Sequence, residues 1–98
     1  METANTRIIS RLGRDISRFR SGEIDIAEIQ SAVLAHGHAF EAADREWHDL
    51  VDHIEGKIDL IRFTVSEADQ KEKVVVVLGQ MLQAAEKYSG NGSGEAGA

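Results

Sequence analysis

The chain of 98 residues contains no cysteine and no proline. Without cysteine it can form no disulfide, hold no thiolate-bound zinc and use no cysteine nucleophile. Without proline, which interrupts helices and marks loops, the sequence favours long helices over a loop-rich β fold. No apolar run reaches the ~20 residues of a membrane span, and none resembles a signal peptide. These absences predict a cytoplasmic, all-helical protein.

Aromatic residues are also scarce, at 5% of the chain, so the core must consist mainly of aliphatic side chains. Apolar residues make up 42% of the sequence, which excludes a wholly disordered chain. The length suits one domain and is too short for two independent cores. We expect a single helical domain over residues 1–88. The Gly-rich residues 89–98 are predicted to form a disordered tail.

The first helix is predicted over residues 5–20, where apolar residues recur three or four positions apart. Its apolar face consists of Ile8, Ile9, Leu12, Ile16 and Phe19. Gly22 follows at the position where a helix terminus favours a left-handed conformation. Asp25 and Glu28 then form a capping box at the start of a second helix. The short connection predicts that the two helices are antiparallel.

An apolar stripe continues from the second helix in a repeat of seven residues: Ile26, Val33, Phe40, Trp47, Ile54 and Ile61. Its unbroken phase fits a single helix of about 40 residues, roughly 60 Å long. Gly37 instead favours a break, since glycine within a helix costs about 1 kcal/mol relative to alanine. We favour two helices with a turn near residues 37–44, because one long helix leaves apolar surface uncovered in a monomer.

The last helix is predicted over residues 67–88, with Ser66 and Asp69 as its N-terminal cap. The apolar run at residues 74–77 could form a strand by itself. The helical spacing that follows and the lack of a partner strand outweigh this alternative. The predicted fold class is therefore all-α, a small antiparallel bundle of three or four helices.

Charge is divided unevenly along the chain. Residues 1–22 hold five arginines and two carboxylates, a net charge of +3, whereas the remainder holds six basic and fifteen acidic residues, a net charge of −9. Four of the arginines share one stripe of the first helix: Arg7, Arg11, Arg14 and Arg18. Such a stripe is typical of phosphate contact with nucleic acid. The overall negative charge favours a solvated or internally paired face instead.

The helical segment from residue 44 to residue 59 is the densest polar feature. Five side chains recur along one edge of it: Asp44, His48, Asp52, Glu55 and Asp59. Histidine and carboxylate one turn apart could share a metal ion, but no second helix offers a matching ligand motif. Asp49 and His53 could act as an acid–base pair, but no nucleophile or oxyanion site accompanies them. His36 and His38 are expected at the surface or in a turn. We therefore predict no metal, no cofactor and no catalytic residue.

The third interpretation of this segment is an acidic docking surface for a basic protein, in which charge complementarity steers association. Trp47 lies beside the carboxylates and could anchor the partner, because tryptophan is favoured at binding hot spots. The alternative is an ordinary solvated face with Trp47 in the core. The predicted partner-binding residues are Asp44, Trp47, Asp49, Asp52, Glu55 and Asp59.

The order of features from Ile16 onwards resembles a known family. A first helix ends in an aromatic residue, Phe19, and a Gly-Glu-Ile turn over residues 22–24 enters the second helix, with Trp47 and Glu55 following later. This order resembles the small helical immunity proteins of bacterial toxin systems, including the colicin D immunity type, over about half of the chain. The resemblance implies an acidic helical protein that binds and blocks a basic nuclease toxin.

The sequence thus predicts a protein–protein interaction module and not an enzyme, most specifically an immunity-like inhibitor that occludes a basic partner protein. Two alternatives stay open. The long apolar stripe could exceed what one chain covers, which would make the protein a self-assembling homodimer. The arginine stripe could instead serve a nucleic-acid accessory protein.

Overall fold

The computed structural model describes residues 3–88, and within that range the chain forms α-helices, one short 3-10 helix and no strand. The helices are α1 (Ala4–Arg20), α2 (Ile26–Gly37), α3 (Arg45–Thr64) and α4 (Glu67–Ala85), and a 3-10 turn follows at Glu86–Tyr88. The all-α prediction is confirmed. The tail predicted to be disordered, residues 89–98, lies outside the described residues.

The predicted features of the α1–α2 junction are confirmed. Gly22 adopts a left-handed φ of 86°, which glycine tolerates without steric cost. The side chain of Asp25 accepts from the Glu28 backbone nitrogen at 2.8 Å, and the Glu28 side chain accepts from the Asp25 backbone nitrogen at 2.9 Å. These reciprocal bonds satisfy two backbone N–H groups that the start of α2 would otherwise leave unpaired.

The chain breaks between α2 and α3, as the two-helix prediction required. α2 ends at Gly37, and Asp44 caps α3 by accepting from the Trp47 backbone nitrogen at 3.0 Å. Between them, Phe40 remains buried, and Ala42 adopts a positive φ of 57°. The seven-residue repeat of the apolar stripe continues across the break, because Phe40 packs into the same core as both helices.

The α3–α4 junction differs from the prediction in one detail. Ser66 is the N-cap residue of α4, but its side chain makes no capping hydrogen bond to the backbone. Its hydroxyl instead lies 3.0 Å from the Asp69 carboxylate, to which it donates. The backbone N–H groups of Asp69 and Gln70 reach the Ser66 carbonyl oxygen. The start of α4 is therefore capped by backbone geometry and not by a serine side chain.

Each helix packs against the next, and α1 also packs against α4, so the four helices close around one core. The fully buried side chains at its centre are Leu12, Ile29, Val33, Trp47, Val51, Ile54, Ile58, Val74, Leu78 and Met81. The apolar run at residues 74–77 lies within α4 and is not a strand. None of the described helices is both long and apolar enough to cross a membrane.

Candidate functional site

The predicted partner-binding residues of α3 are divided between internal contacts and open surface. Glu55 and Asp59 face α2, where both approach Gln30, a glutamine that is only 7% exposed. The amide nitrogen of Gln30 donates to Glu55 Oε2 at 2.6 Å and to Asp59 Oδ1 at 3.1 Å. Arg62 Nη1 donates to the Gln30 amide oxygen at 2.9 Å. This network connects α2 to α3, so the main role of both carboxylates is to stabilise the packing of these two helices.

Asp44 also has an internal role. Its Oδ1 atom accepts from the Trp47 backbone nitrogen and, at 2.8 Å, from the hydroxyl of Tyr88. The Tyr88 hydrogen bond, followed by the Trp47 bond, lowers the pKa of Asp44 because both stabilise the carboxylate. The same bond raises the pKa of Tyr88. The pair connects the start of α3 to the end of the described chain.

Trp47 does not lie on the surface, and this corrects the prediction that it anchors a partner. Its side chain is 1% exposed, and its indole nitrogen donates to the Gly37 carbonyl oxygen at 2.7 Å. Phe40 stacks on it with ring centroids 4.5 Å apart, and Tyr88 lies at 5.4 Å. The position of Trp47 in the seven-residue apolar stripe indicated a buried side chain more strongly than the neighbouring carboxylates indicated an exposed one.

His38, His48 and Asp52 form a chain of polar contacts between the end of α2 and α3. His38 Nε2 lies 2.8 Å from Asp52 Oδ1, and His38 Nδ1 lies 2.8 Å from His48 Nδ1. The ring centroids are 5.1 Å apart and the planes differ by 13°. The distance between the ring centroids exceeds the distance between the two Nδ1 atoms by about two ring radii. The two rings therefore meet edge to edge.

These contacts restrict which ring nitrogens of the two histidines can donate a hydrogen bond. A neutral His38 that donates from Nε2 to the carboxylate must accept at Nδ1, so His48 donates from its own Nδ1. The two facing nitrogens thus hold a proton between them. Over residues 3–88, no group of three or more histidine, aspartate or glutamate side chains is placed to hold a metal ion.

The outward face of α3 keeps exposed carboxylates at its N-terminal end. Glu46, Asp49 and Asp52 are all exposed. Asp49 lies 4.0 Å from Arg45, but both side chains are largely in water, so this ion pair contributes little. A groove of about 350 Å³ opens beside Glu46 and Asp49, between α3 and the end of α4. Its apolar lining includes Leu50, Ala84 and Tyr88, and His53 and Lys87 also line it.

A second surface feature was not predicted from the sequence. Leu60, Phe63 and Val76 are 62%, 76% and 59% exposed. Leu60 and Val76 line a groove of about 600 Å³ between α3 and α4, and Phe63 lies one turn from Leu60 on α3. Leu60 and Phe63 fall outside the seven-residue stripe. That mismatch was the available indication that the core does not cover them.

The arginine stripe of α1 lies on the surface, since Arg7, Arg11, Arg14 and Arg18 are exposed. Arg18 pairs with Glu23 at 3.3 Å and approaches Asp15 at 3.7 Å. His36 Nε2 also contacts the Asp15 carboxylate, at 3.1 Å. The C-terminal end of the stripe is therefore involved in contacts within the chain.

Comparison of the chain with protein-family models, curated proteins and solved structures gave no significant match. The resemblance to immunity proteins accordingly rests on the motif around Phe19 and residues 22–24. The geometry offers two grooves: one beside Glu46 and Asp49 near the start of α3, which we call the acidic groove although Lys87 also lines it, and one between Leu60 and Val76 near the end of α3, with Lys57, Lys73 and Glu72 around it.

Proposed function

We propose that this protein is a protein–protein interaction module, an immunity-like inhibitor that occludes a basic partner with the N-terminal half of the outer face of α3. The observation that carries the proposal is the groove of about 350 Å³ with Glu46 and Asp49 along α3, Lys87 on the facing 3-10 turn and an apolar lining that includes Leu50, so that two carboxylates face one lysine. Carboxylates over apolar surface form a site that suits a lysine or arginine side chain.

The chemistry of such a contact follows from the shape of long basic side chains. Their methylene stems pack on apolar surface while the charged head stays near water or an anion. In this groove the stem would lie against Leu50 and Ala84, and the head would reach Glu46 or Asp49. A guanidinium group gains most, because it can bind a carboxylate through two parallel hydrogen bonds.

The structure changes the set of residues that we assign to the partner. Asp49 stays in it as a groove residue, and Glu46 joins it because it lines the groove and is exposed. Asp52 lies outside the groove and contacts His38, but it stays in the set because its side chain is 67% exposed. Asp44, Glu55 and Asp59 keep α3 in place through their bonds to Tyr88 and Gln30. Their charge still adds to the negative field of this side, which would steer a basic protein towards the face.

Two properties support an inhibitory role over an enzymatic one. The groove is open, and its two carboxylates lie on one helix, α3. A rigid, pre-formed acidic face loses little entropy on binding. The motif that resembles immunity proteins makes a basic nuclease toxin the first class of partner to test.

The experiment begins with capture of a basic partner by the tagged protein from nuclease-treated native lysate, followed by purification of that partner. Affinity is then measured for the wild type and for Glu46→Lys combined with Asp49→Lys. The control combines Glu23→Lys with Glu67→Lys, which changes the net charge equally at exposed positions elsewhere.

We expect the groove variant to weaken binding by about 100-fold or more, because each reversed charge at a contact costs on the order of 2 kcal/mol. The control should weaken binding by less than about tenfold, through the loss of long-range attraction alone. Equal weakening in both variants would mean that only total charge matters. Unchanged affinity in the groove variant would exclude this face.

A further inference from the structure

The C-terminal half of α3 and the adjoining part of α4 expose an apolar surface that the acidic groove does not explain. This apolar patch consists of Leu60, Phe63 and Val76, each more than half exposed. The other large apolar side chain exposed in residues 3–88, Leu34, is 36% exposed and lies on α2. Exposed apolar side chains grouped near one groove are often functional in soluble domains.

We propose that a second copy of this chain covers the apolar patch, so that the protein is a two-fold symmetric homodimer. The patch combines a projection and a recess on one chain. Phe63 is 76% exposed and projects, with the Arg62 guanidinium 5.8 Å from its ring centroid, while the groove of about 600 Å³ between Leu60 and Val76 is open. A two-fold contact places the projection of each copy over the recess of the other.

The charges around the groove favour a second copy over a strongly charged partner. Lys57 and Lys73 line it together with Glu72. A basic partner would face the two lysines, and an acidic partner would face Glu72. A two-fold axis places the same groove of the two copies face to face. The lysines of each copy can then pair with the glutamate of the other. The two lysines and the glutamate give the groove itself a net charge of only +1, so two copies repel little there.

The exposed area fits a reversible dimer. At their exposed fractions, the three side chains present on the order of 350 Å² of apolar surface, given the 150–250 Å² of a large aromatic side chain. A standard interface buries about 800 Å² on each partner. The patch supplies nearly half of this, and the stems of Lys57 and Lys73 around the groove would add to it. We therefore expect a weak, reversible dimer.

The two surfaces are separate. Asp49 and Leu60 are eleven residues apart on α3, which corresponds to ~16 Å along the helix axis. A dimer formed through the patch would leave one acidic groove free on each copy. The homodimer proposal therefore does not depend on the proposed function, and either can fail alone.

The test is sedimentation equilibrium on the full chain from low micromolar to millimolar concentration. The wild type should approach twice the mass of one chain as concentration rises. Leu60→Ser combined with Phe63→Ser should weaken the dimer by at least tenfold, whereas Leu34→Ser, on the exposed surface of α2, should leave it unchanged. Circular dichroism establishes that each variant is folded. Val76→Thr, which keeps the side-chain shape, provides a milder test in the same direction if the double variant does not fold.

A mass of one chain at millimolar concentration would overturn the proposal. So would a wild-type dimer that the patch variants leave intact, or growth beyond a dimer, which a closed two-fold contact forbids. The groove variant with Glu46→Lys and Asp49→Lys should remain dimeric. If it dissociates while the patch variants do not, the interface is the acidic groove and the patch assignment is wrong.

Discussion

The indole nitrogen of Trp47 donates a 2.7 Å hydrogen bond to the carbonyl oxygen of Gly37, the last residue of α2. The bond is buried and spans the loop that separates α2 from α3. Gly37 also lies against α3, because a Cβ atom at this position would come within 2.7 Å of both Val51 methyl groups. Glycine is therefore required here by the close approach of two helices.

This relationship predicts opposite effects for two glycine-to-alanine substitutions. Gly37→Ala should destabilise the protein by about 1–3 kcal/mol, because the new methyl group overpacks the contact with Val51 and Met81. Gly79→Ala should stabilise it by about 0.5–1 kcal/mol, since that residue lies within α4 with nothing within 4 Å of the added carbon. Urea denaturation followed by Trp47 fluorescence measures both. A Gly37→Ala variant as stable as the wild type would show that α2 and α3 are not so close.

The Gln30 network predicts a pH-dependent defect. Gln30→Glu keeps the side-chain shape but places a carboxylate against Glu55 and Asp59, where an amide now donates. We expect a loss of at least about 1.5–3 kcal/mol at neutral pH, the range for hydrogen bonds to charged groups.

The two carboxylates of Glu55 and Asp59 raise the pKa of the introduced carboxyl group and outweigh the opposite effect of the single Arg62, so protonation restores a donor and the loss should shrink as pH falls towards 5. Gln83→Glu, at an exposed position of α4, is the control and should change stability little. The comparison is made by urea denaturation at several pH values. A defect of equal size at every pH would contradict the assignment.

The sequence predicted those features that depend on a few neighbouring residues. The capping box of Asp25 and Glu28 and the left-handed Gly22 follow from local backbone requirements. The break after Gly37 was also predicted, but the glycine there is required by its contact with Val51. The core positions followed from the apolar period. Trp47 belongs to that period and is buried, which overturns the prediction that it anchors a partner. Local signals failed at Ser66, where backbone bonds replaced the expected side-chain cap.

The contacts between helices could not be predicted, because they depend on how far each helix is rotated and shifted along its neighbour. Glu55 and Asp59 lie on one edge of α3 as expected, but that edge faces Gln30 and not open solvent. The same rotation leaves Leu60 and Phe63 outside the core. Whether a charged row is a docking surface or half of an internal network is decided by the neighbouring helix.

The bond between Asp44 and Tyr88 predicts coupled titrations. The lowered pKa of Asp44 gives stabilisation that is present above the usual aspartate pKa of about 4 and lost as pH falls through the folded value. The raised pKa of Tyr88 gives stabilisation that is present below about 10 and lost as pH rises through its folded value. The bond should therefore stabilise the fold between these two limits.

Two substitutions test this pair. Tyr88→Phe should raise the pKa of Asp44 towards its usual value, as measured by carboxyl carbon NMR. Asp44→Asn keeps an acceptor for the cap of α3 and should lower the pKa of Tyr88 towards its usual value. The chain has one tyrosine, so the ultraviolet absorbance of tyrosinate reports on Tyr88 alone. If neither titration moves, the two side chains do not bond in solution.

Asn5 connects three parts of the fold through one side chain. Its amide nitrogen donates to the carbonyl oxygens of Glu41, at 2.9 Å, and Tyr88, at 3.0 Å. Its amide oxygen accepts from the Glu41 backbone nitrogen at 2.7 Å. Asn5 is 8% exposed, so these backbone groups have little access to water as replacement partners.

Asn5→Ala should therefore destabilise the protein by about 2 kcal/mol, because it leaves partly buried polar groups unpaired. Asn5→Asp should cost at least as much, since it retains the acceptor for Glu41 but turns a carboxylate towards two carbonyl oxygens. Ser10→Ala, on the exposed side of α1, is the control and should have little effect.

A local measurement separates the role of Asn5 from general loss of stability. In Asn5→Ala, amide hydrogen exchange at Glu41 should accelerate more than exchange at Ile54 in the middle of α3, because the loop after α2 loses its attachment to α1 before the core opens. Equal acceleration at both amides would mean that Asn5 supports the whole bundle. Unchanged exchange at Glu41 would show that the loop is held by its other contacts, with buried Phe40 the first to test.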